Sequence, residues 1–412
     1  MITAFLIFAL LLGFYVAWNI GANDVANAVG TSVGSGALTL KQAVIIAAIF
    51  EFAGALLLGS NVSETVESGI VNPILFSDHH ADYLFGMIGA LLATGVWLQI
   101  ASFNGWPVST THSIVGAVLG FGLVLGGFHS IFWSKIGSIA ASWVISPLLG
   151  GVVAYLIFTL IRKHILYDKD PLHAAKKLTP WLVFSIFFLF GIIIFFNGLS
   201  GLNFHLNIWT LLLVSLIIAA ITSWVSTLFL KRINNPHLLE YDVVEKIFMR
   251  LQVIIACFMA FAHGSNDVAN VIGPLSGIVN FLQGKSILNQ SVPIYLLLLG
   301  GAGIVIGLAT WGWRVIETVG KKITDLTPSR GFAAGYGATL TIMLASKLGL
   351  PISTTHVLVG AVLGVGFARG IGAINLGMIR DIFVSWVITV PIGAVFSIFF
   401  FYVLKWGFIR FF

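Results

Sequence analysis

Two aspartates, Asp24 and Asp267, stand in stretches that are otherwise apolar or amide-bearing. Each is bracketed by asparagines, Asn23 and Asn27 around the first, Asn266 and Asn270 around the second. A carboxylate taken out of water costs several kcal/mol unless it is paired or neutralised, so an acid in such surroundings points to function. The plainer alternative is that each Asp only caps a broken helix. Gly21, Gly30, Gly264 and Gly273 flank the two segments and predict unwound backbone, which is tolerated at membrane depth only where it lines a cavity or is buried in protein.

A second pair of segments reads as helix starts. Pro107 leads into Ser109, Thr110 and Thr111, and Pro351 into Ser353, Thr354 and Thr355, each before an apolar run. Hydroxyls there cap backbone N–H groups, which alone would account for one copy. Two such starts, if they converge, bring partial positive charge, N–H donors and hydroxyls together, and that is an anion site.

Neither motif contains Lys or Arg. An oxyanion would therefore sit beside two carboxylates, whose charges repel it strongly at low dielectric. A cation must enter with it. Asp24 and Asp267, with the Asn27 and Asn270 amides and exposed carbonyls, are hard oxygen ligands that suit the metal ion Na+, and a proton on one carboxylate would serve equally. Phosphate near neutral pH carries an OH that needs an acceptor, whereas sulfate offers only acceptors, so an Asp or Asn oxygen facing the anion favours phosphate over sulfate. A pair of embedded aspartates also permits a hydrolytic dyad sharing one proton, but the duplicated asparagines and helix starts are unnecessary for that chemistry. A channel is a further alternative.

Several other residues have two readings. Glu51, in the apolar run AAIFEFAGALLLG, is either a third ligand or proton site or a hydrogen-bonding partner of a neighbouring helix. His112 and His356 follow the threonines and are taken as structural. Gly116 with Gly120, and Gly360 with Gly364, have the spacing of close helix contact. Cys257, the single cysteine, excludes internal disulfides and is expected in the core. Arg314, Glu317, Lys321 and Lys322 are expected on a solvated face.

The elements that must position these groups are membrane helices. Apolar residues make up 58% of the chain and charged residues 9%, and the mean hydropathy is +1.03. Runs near 2–22, 83–103, 133–161, 181–197 and 208–230 approach or exceed the ~20 residues of a spanning helix. The first is expected to be a retained helix and not a secretory signal. Nothing suggests nucleic-acid binding, and no cofactor is expected.

The chain is internally repeated. NDVANAVG from Asn23 recurs as NDVANVIG from Asn266, PVSTTHSIVGAVLGFG from Pro107 as PISTTHVLVGAVLGVG from Pro351, and SWVIS from Ser142 as SWVIT from Ser385. This divides the protein into a first transmembrane repeat, 1–161, a segment of cytoplasmic loops and two linking transmembrane helices, 162–246, and a second repeat, 247–412.

The basic stretches 162–177 and 231–250 flank two spanning runs and so lie together, on the cytoplasmic side by the positive-inside rule. The loop 61–82, which holds Glu64, Glu67, Asp78 and Asp82 and no basic residue, is expected to face outward. Counting each STTH segment as a crossing gives about twelve spans, with both termini outside and the two NDVAN segments approaching from opposite faces. The expected fold is all-α, with about twelve transmembrane helices in two inverted-topology repeats and discontinuous helices at the midplane.

At these residues the sequence strongly resembles the inorganic phosphate transporter (PiT) family, whose hallmark is a duplicated GxNDVAN segment, here GANDVAN from Gly21 and GSNDVAN from Gly264. Both P-x-STTH segments take part, and the resemblance spans nearly the whole chain. It implies secondary active import of inorganic phosphate by symport with Na+ or H+, and a homodimer. It also implies a substrate and ion site formed by Asn23, Asp24, Asn266, Asp267 and the Ser and Thr residues of both STTH segments.

Glu51 matches a family acid in the first repeat. Many members carry an acid in the helix before the second STTH, where this chain reads GFAAGYGAT with Gly335 at the aligned place. Some relatives resemble sulfate permeases, which keeps a sulfate symporter of the same fold as the alternative. The large central loop of animal relatives is absent, as suits a prokaryotic plasma-membrane protein.

Overall fold

The computed structural model describes residues 2–72, 75, 80–198, 207–233, 240–283, 292–316, 326–370 and 376–411. Among them the chain is all-helical, apart from an isolated bridge between Val71 and Ile131. The helices are α1 (Ile2–Asn23), α2 (Val25–Gly34), α3 (Leu40–Ser68), α4 (His80–Phe103), α5 (Thr110–Gly126), α6 (Trp133–Ile161) and α7 (Pro171–Gly198). They continue with α8 (Ile208–Lys231), α9 (Glu240–Asp267), α10 (Ala269–Leu282), α11 (Ile294–Trp311), α12 (Pro328–Lys347), α13 (Thr354–Arg369) and α14 (Leu376–Phe411). Glu317, Lys321, Lys322 and Asp78 lie outside the described residues.

Eight stretches are long and apolar enough to cross a membrane: Phe5–Gly34, Leu40–Ser60, Ala81–Phe103, Trp133–Leu166, Pro171–Phe196, Ile208–Lys231, Ile294–Trp311 and Ile382–Gly407. The expected count was about twelve. The shortfall falls on α5 and α13, which are apolar but short, and on α9–α10 and α12. The last two carry polar groups on faces buried inside the protein. A helix shielded from lipid has no need to be apolar all round. The helices that do face outward are the most hydrophobic, with Leu148 64% and Val387 74% exposed.

The expectation of unwound backbone is corrected. Gly21, Gly30, Gly264 and Gly273 all lie within helices, and in each segment a single residue, Asp24 or Val268, separates one helix from the next while keeping right-handed helical dihedrals. The glycines serve close packing instead. A Cβ on Gly21 would sit 1.9 Å from the Ile304 carbonyl oxygen of α11, and one on Gly264 would sit 2.2 Å from the Glu51 carbonyl oxygen of α3. The GxxxG pairs do the same: Gly360 and Gly364 meet the carbonyls of Pro147 and Gly151 on α6, while Gly116 and Gly120 meet those of Val390 and Ala394 on α14. Backbones can approach this closely only where no side chain intervenes.

Every one of these contacts joins one sequence repeat to the other. Helix α1 packs on α11 as α9 packs on α3, and α6 packs on α13 as α14 packs on α5. The linking helices α7 and α8 pack on each other, with α7 also touching α9.

Three smaller expectations also change. Helix α3 continues to Ser68, so the acidic stretch 61–82 begins as helix. Cys257 is half-buried. Arg314 does not lie on a bare solvated face: its guanidinium donates to the Phe103 carbonyl at 3.2 Å and lies over the rings of Phe103, Trp311 and Trp313.

Glu67, in the last turn of α3 beyond the apolar stretch Leu40–Ser60, is buried. Asn280 of α10 donates to its Oε1 at 3.1 Å and to Ser276 Oγ at 3.3 Å. Burial pushes the carboxyl up from 4.5 to about 7, with the hydrogen bonds from Asn280 and Ser276 working against the shift and the nearby Glu64 adding to it. The folded state therefore binds more protons than the unfolded chain between those values. This contribution to stability is fully present below about pH 4.5 and is lost as pH rises through about 7. Glu67→Gln should remove that slope, melting like the parent in acid and a few degrees higher at pH 8 in detergent. An unchanged difference across the range would contradict it.

Candidate functional site

The site forms where the two helix breaks meet the starts of α5 and α13. Asp24 precedes α2 but makes no side-chain capping bond there. Its Oδ2 instead accepts a hydrogen bond from Thr110 Oγ1 at the start of α5. Asp267 repeats the arrangement with Thr354 Oγ1 of α13, at 2.9 Å. The two carboxylates thus bind separate threonines. Both aspartates are about 1% exposed.

The asparagines on the far side of each break cross between repeats. Asn27 Nδ2 donates to Thr355 Oγ1 at 2.8 Å, and Asn270 Nδ2 donates to Thr111 Oγ1 at 3.2 Å. The same threonines then donate across the junction, Thr111 to the Ile352 carbonyl at 2.9 Å and Thr355 to the Val108 carbonyl at 3.2 Å. Each repeat therefore supplies the hydroxyl that the other's asparagine requires.

Ser109 and Ser353 have the plain role. Each is an N-cap whose Oγ accepts from the backbone N–H three residues on, His112 and His356, at 3.2 Å. The first-turn N–H groups of Thr110, Thr111, Thr354 and Thr355 have no acceptor within their own helices. Two helix starts, with their partial positive charge, face a common centre.

Asn23 and Asn266 turn away from that centre. Asn23 Nδ2 donates to Ser102 Oγ at 3.1 Å and to the Trp106 carbonyl at 3.0 Å, while its Oδ1 accepts from Val108 N at 3.2 Å. It fastens the lead-in of α5. Asn266 does likewise for α13, donating to Ser346 Oγ and the Leu350 carbonyl, both at 3.2 Å.

The remaining polar atoms define the chemistry. Asp24 Oδ1, Asn27 Oδ1, Asp267 Oδ1 and Asn270 Oδ1 are buried with no hydrogen-bond partner. Such groups are expensive to leave unmet. All four are oxygens, and no lysine or arginine appears among the described buried residues. This is a donor set for a hard cation, placed beside two helix starts suited to an anion. Among the described residues no cluster of three or more His, Cys, Asp or Glu is spaced to hold a resident metal.

The sequence reading passed over one residue. His263 of α9 is wholly buried, with Nδ1 3.2 Å from Glu51 Oε1 and Nε2 2.9 Å from Asp267 Oδ2. Glu51 therefore reaches the site through this imidazole. The signal was present: aligning the two copies sets His263 opposite Ile20.

The other histidines lie behind the site. His112 meets Trp143 edge-on at 3.8 Å, His356 stacks on Trp386 at 3.5 Å, and the two imidazoles are 4.3 Å apart. They form the floor of an apolar groove of about 660 Å³ between α6, α13 and α14. Gly335 is packed against Ile255, whose Cγ2 would lie 2.6 Å from an added Cβ.

Comparison with known proteins agrees with this geometry. The chain matches the phosphate transporter family over residues 20–397. It is 56% identical to a candidate phosphate permease of Chlamydia pneumoniae, across 97% of this chain and 98% of that one. It is 46% identical to the chloroplastic inorganic phosphate transporter 2-1 of Arabidopsis thaliana, across 94% of this chain and 70% of the relative. A solved structure of a sodium-dependent phosphate transporter superposes with a TM-score of 0.91 at 40% identity, covering 98% of this chain and 99% of that one.

The unequal bonding of Asn23 and Asn266 gives a test. Asn23→Ala strands three partners and should cost on the order of 2 kcal/mol in thermal unfolding. Asn266→Ala should cost less, because its Oδ1 has no partner to lose. Equal losses would count against the fastening role.

Proposed function

The chain belongs to the phosphate transporter family, and on that premise we propose that it imports inorganic phosphate by symport with sodium, as a secondary transporter and not an enzyme. The observation that carries the reading is the set of four unpartnered buried oxygens beside two helix starts, with no lysine or arginine among the described buried residues. Anion and cation each make the site tolerable for the other. An oxyanion takes the N–H groups and hydroxyls of Thr110, Thr111, Thr354 and Thr355, and a cation takes Asp24, Asp267 and the Asn27 and Asn270 oxygens.

Phosphate suits this site better than sulfate because its OH can donate to an acceptor oxygen that the cation leaves free, whereas sulfate offers only acceptors. Sodium is favoured over the proton as cargo by likeness to the sodium-dependent phosphate transporter. Asn23, Asn266, Ser109 and Ser353 contribute by holding the helix starts in place.

In this reading α1–α2 and α9–α10 each make one broken crossing, and the other ten helices one each. That arrangement gives twelve crossings in two inverted repeats, with both termini outside the plasma membrane. Access to the midplane site alternates as the two interlocked halves move. The protein works as a homodimer, as the resemblance implies.

In proteoliposomes, labelled phosphate should accumulate only under an inward sodium gradient, and Asp24→Asn or Asp267→Asn should abolish accumulation. Accumulation with no cation gradient, or uptake indifferent to Asp267→Asn, would sink the proposal. Accumulation driven by a proton gradient alone would make the proton the cargo, and competition by excess sulfate would decide for the broader oxyanion. A hydrogen bond to a charged group contributes about 1.5–3 kcal/mol, so Thr110→Val should reduce uptake at limiting substrate by roughly 10- to 100-fold. A change smaller than twofold would show that this hydroxyl does not matter.

A further inference from the structure

Two features of the sequence repeat take no part in the ion and anion site. SWVIS from Ser142 recurs as SWVIT from Ser385, and a histidine follows each pair of threonines, His112 and His356. The fold brings these rings together. His112 meets Trp143 and His356 stacks on Trp386, with the two imidazoles 4.3 Å apart. Each repeat thus gives one imidazole and one indole to the groove of about 660 Å³ between α6, α13 and α14. That volume lies within the range of small-molecule sites.

Polar atoms set this groove apart from an ordinary lipid-facing surface. Nδ1 of His112, Nε2 of His356 and the indole Nε1 of Trp143 and of Trp386 are buried without a hydrogen-bond partner. His112, His356 and Trp386 are each less than a tenth exposed. Stacking does not satisfy them, because His356 and Trp386 touch through their faces while their nitrogens point outward in the ring planes. The walls beside them include Val144, Leu148, Phe383 and Val387, all apolar and exposed. No Lys, Arg, Asp or Glu lines the groove.

This lining excludes two classes of occupant. A phospholipid acyl chain fills the space but offers nothing to the polar nitrogens. A carboxylate or phosphate head would bring charge to a place that holds no countercharge. A hydroxyl meets both conditions. Its oxygen accepts from an indole N–H, and it either donates to the bare nitrogen of an imidazole or accepts from the ring's N–H, so both tautomers serve. We propose that the groove binds an uncharged single-chain lipid alcohol, its hydroxyl among the two histidines and two tryptophans and its alkyl chain along the apolar walls.

In the twelve-crossing reading the groove lies at the midplane, roughly 15 Å from either headgroup layer, where bilayer phospholipids present no hydroxyl. Its floor adjoins the site. His112 and His356 directly follow Thr111 and Thr355, the hydroxyls that bind the opposite repeat's asparagines. An occupant therefore bears on the first turns of α5 and α13.

The test uses the whole protein in phosphatidylcholine nanodiscs and a hexadecanol that carries a photoactivatable diazirine on its chain. After illumination and digestion, adducts should fall on the segments of α6 and α14 that line the groove. Excess hexadecanol should suppress them at a concentration at least tenfold lower than hexadecane or palmitate requires. Trp143→Phe combined with Trp386→Phe keeps both aromatic rings, removes both N–H donors, and should shrink the alcohol's advantage over the alkane. A double variant that keeps the full advantage overturns the proposal. Equal protection of the parent by hexadecane would mean that hydrocarbon alone covers the groove, and equal protection by palmitate that a charged head is accepted; each overturns it. So would adducts scattered over the lipid-facing helices, or adducts that vanish in the dimeric fraction, which would make a second copy the cover. The parent comparison decides even if the double variant does not fold. No step depends on transport, so a failed phosphate assay leaves this result standing.

Discussion

Two carboxylates buried without a lysine or arginine nearby are the constraint from which the architecture around the site follows. Asp24 and Asp267 are about 1% exposed, and a charge in that position costs several kcal/mol unless donors meet it. The donors at hand are the hydroxyls at the starts of α5 and α13, so those starts must be carried to the breaks before α2 and α10. Hydroxyl to carboxylate is a short reach, and helices with ordinary side chains between them would stand too far apart. Glycine at Gly21, Gly264, Gly116 and Gly360 lets backbone lie against backbone, and this sets the spacing that the site chemistry demands.

Pairing across repeats follows from the same requirement. With α1 on α11, α9 on α3, α6 on α13 and α14 on α5, neither repeat can close its part of the site alone. The hydrogen bonds that tie the halves at the centre, Asn27 to Thr355 and Asn270 to Thr111, are neutral ones at 2.8 and 3.2 Å. Each contributes only about 1 kcal/mol net. A guest that offers its own donors and acceptors can replace them at little cost. The contacts through glycine set backbone against backbone and offer a guest no such exchange. The molecule is thus firm at its helix crossings and exchangeable at its centre.

Much of this was legible in the residue pattern because it is local. The duplicated NDVAN and STTH segments and the close-contact spacing of Gly116, Gly120, Gly360 and Gly364 all depend on types and spacings within one stretch. What failed depended on partners distant in sequence. Gly21 and Gly264 read as loosened backbone because the carbonyls they press against, on Ile304 and Glu51, are far along the chain. Asn23 looked no different from Asn27, yet only one of them points inward, since Asn23 ends α1 and Asn27 lies in α2, on opposite sides of the break at Asp24. Hydropathy recognised lipid-facing helices and undercounted α9 and α12, whose polar faces meet protein. Arg314 read as solvated because the aromatic rings over which it lies include Phe103, from another part of the chain.

The break in symmetry at His263 changes how the two aspartates are held. A buried ion pair is weak evidence for stability, because an apolar pair of similar volume often does as well. In the other half Ile20 stands in the place of His263, and Ile304 meets Gly21 as Glu51 meets Gly264. What the His263 and Glu51 pair adds is restraint. Asp267 Oδ2 is held by both Thr354 and His263, whereas Asp24 Oδ2 is held by Thr110 alone. One carboxylate is pinned from two directions and the other pivots about a single hydroxyl. The two carboxylates therefore have unequal freedom, and Asp24 is the group better able to turn its unpartnered oxygen toward an arriving ion.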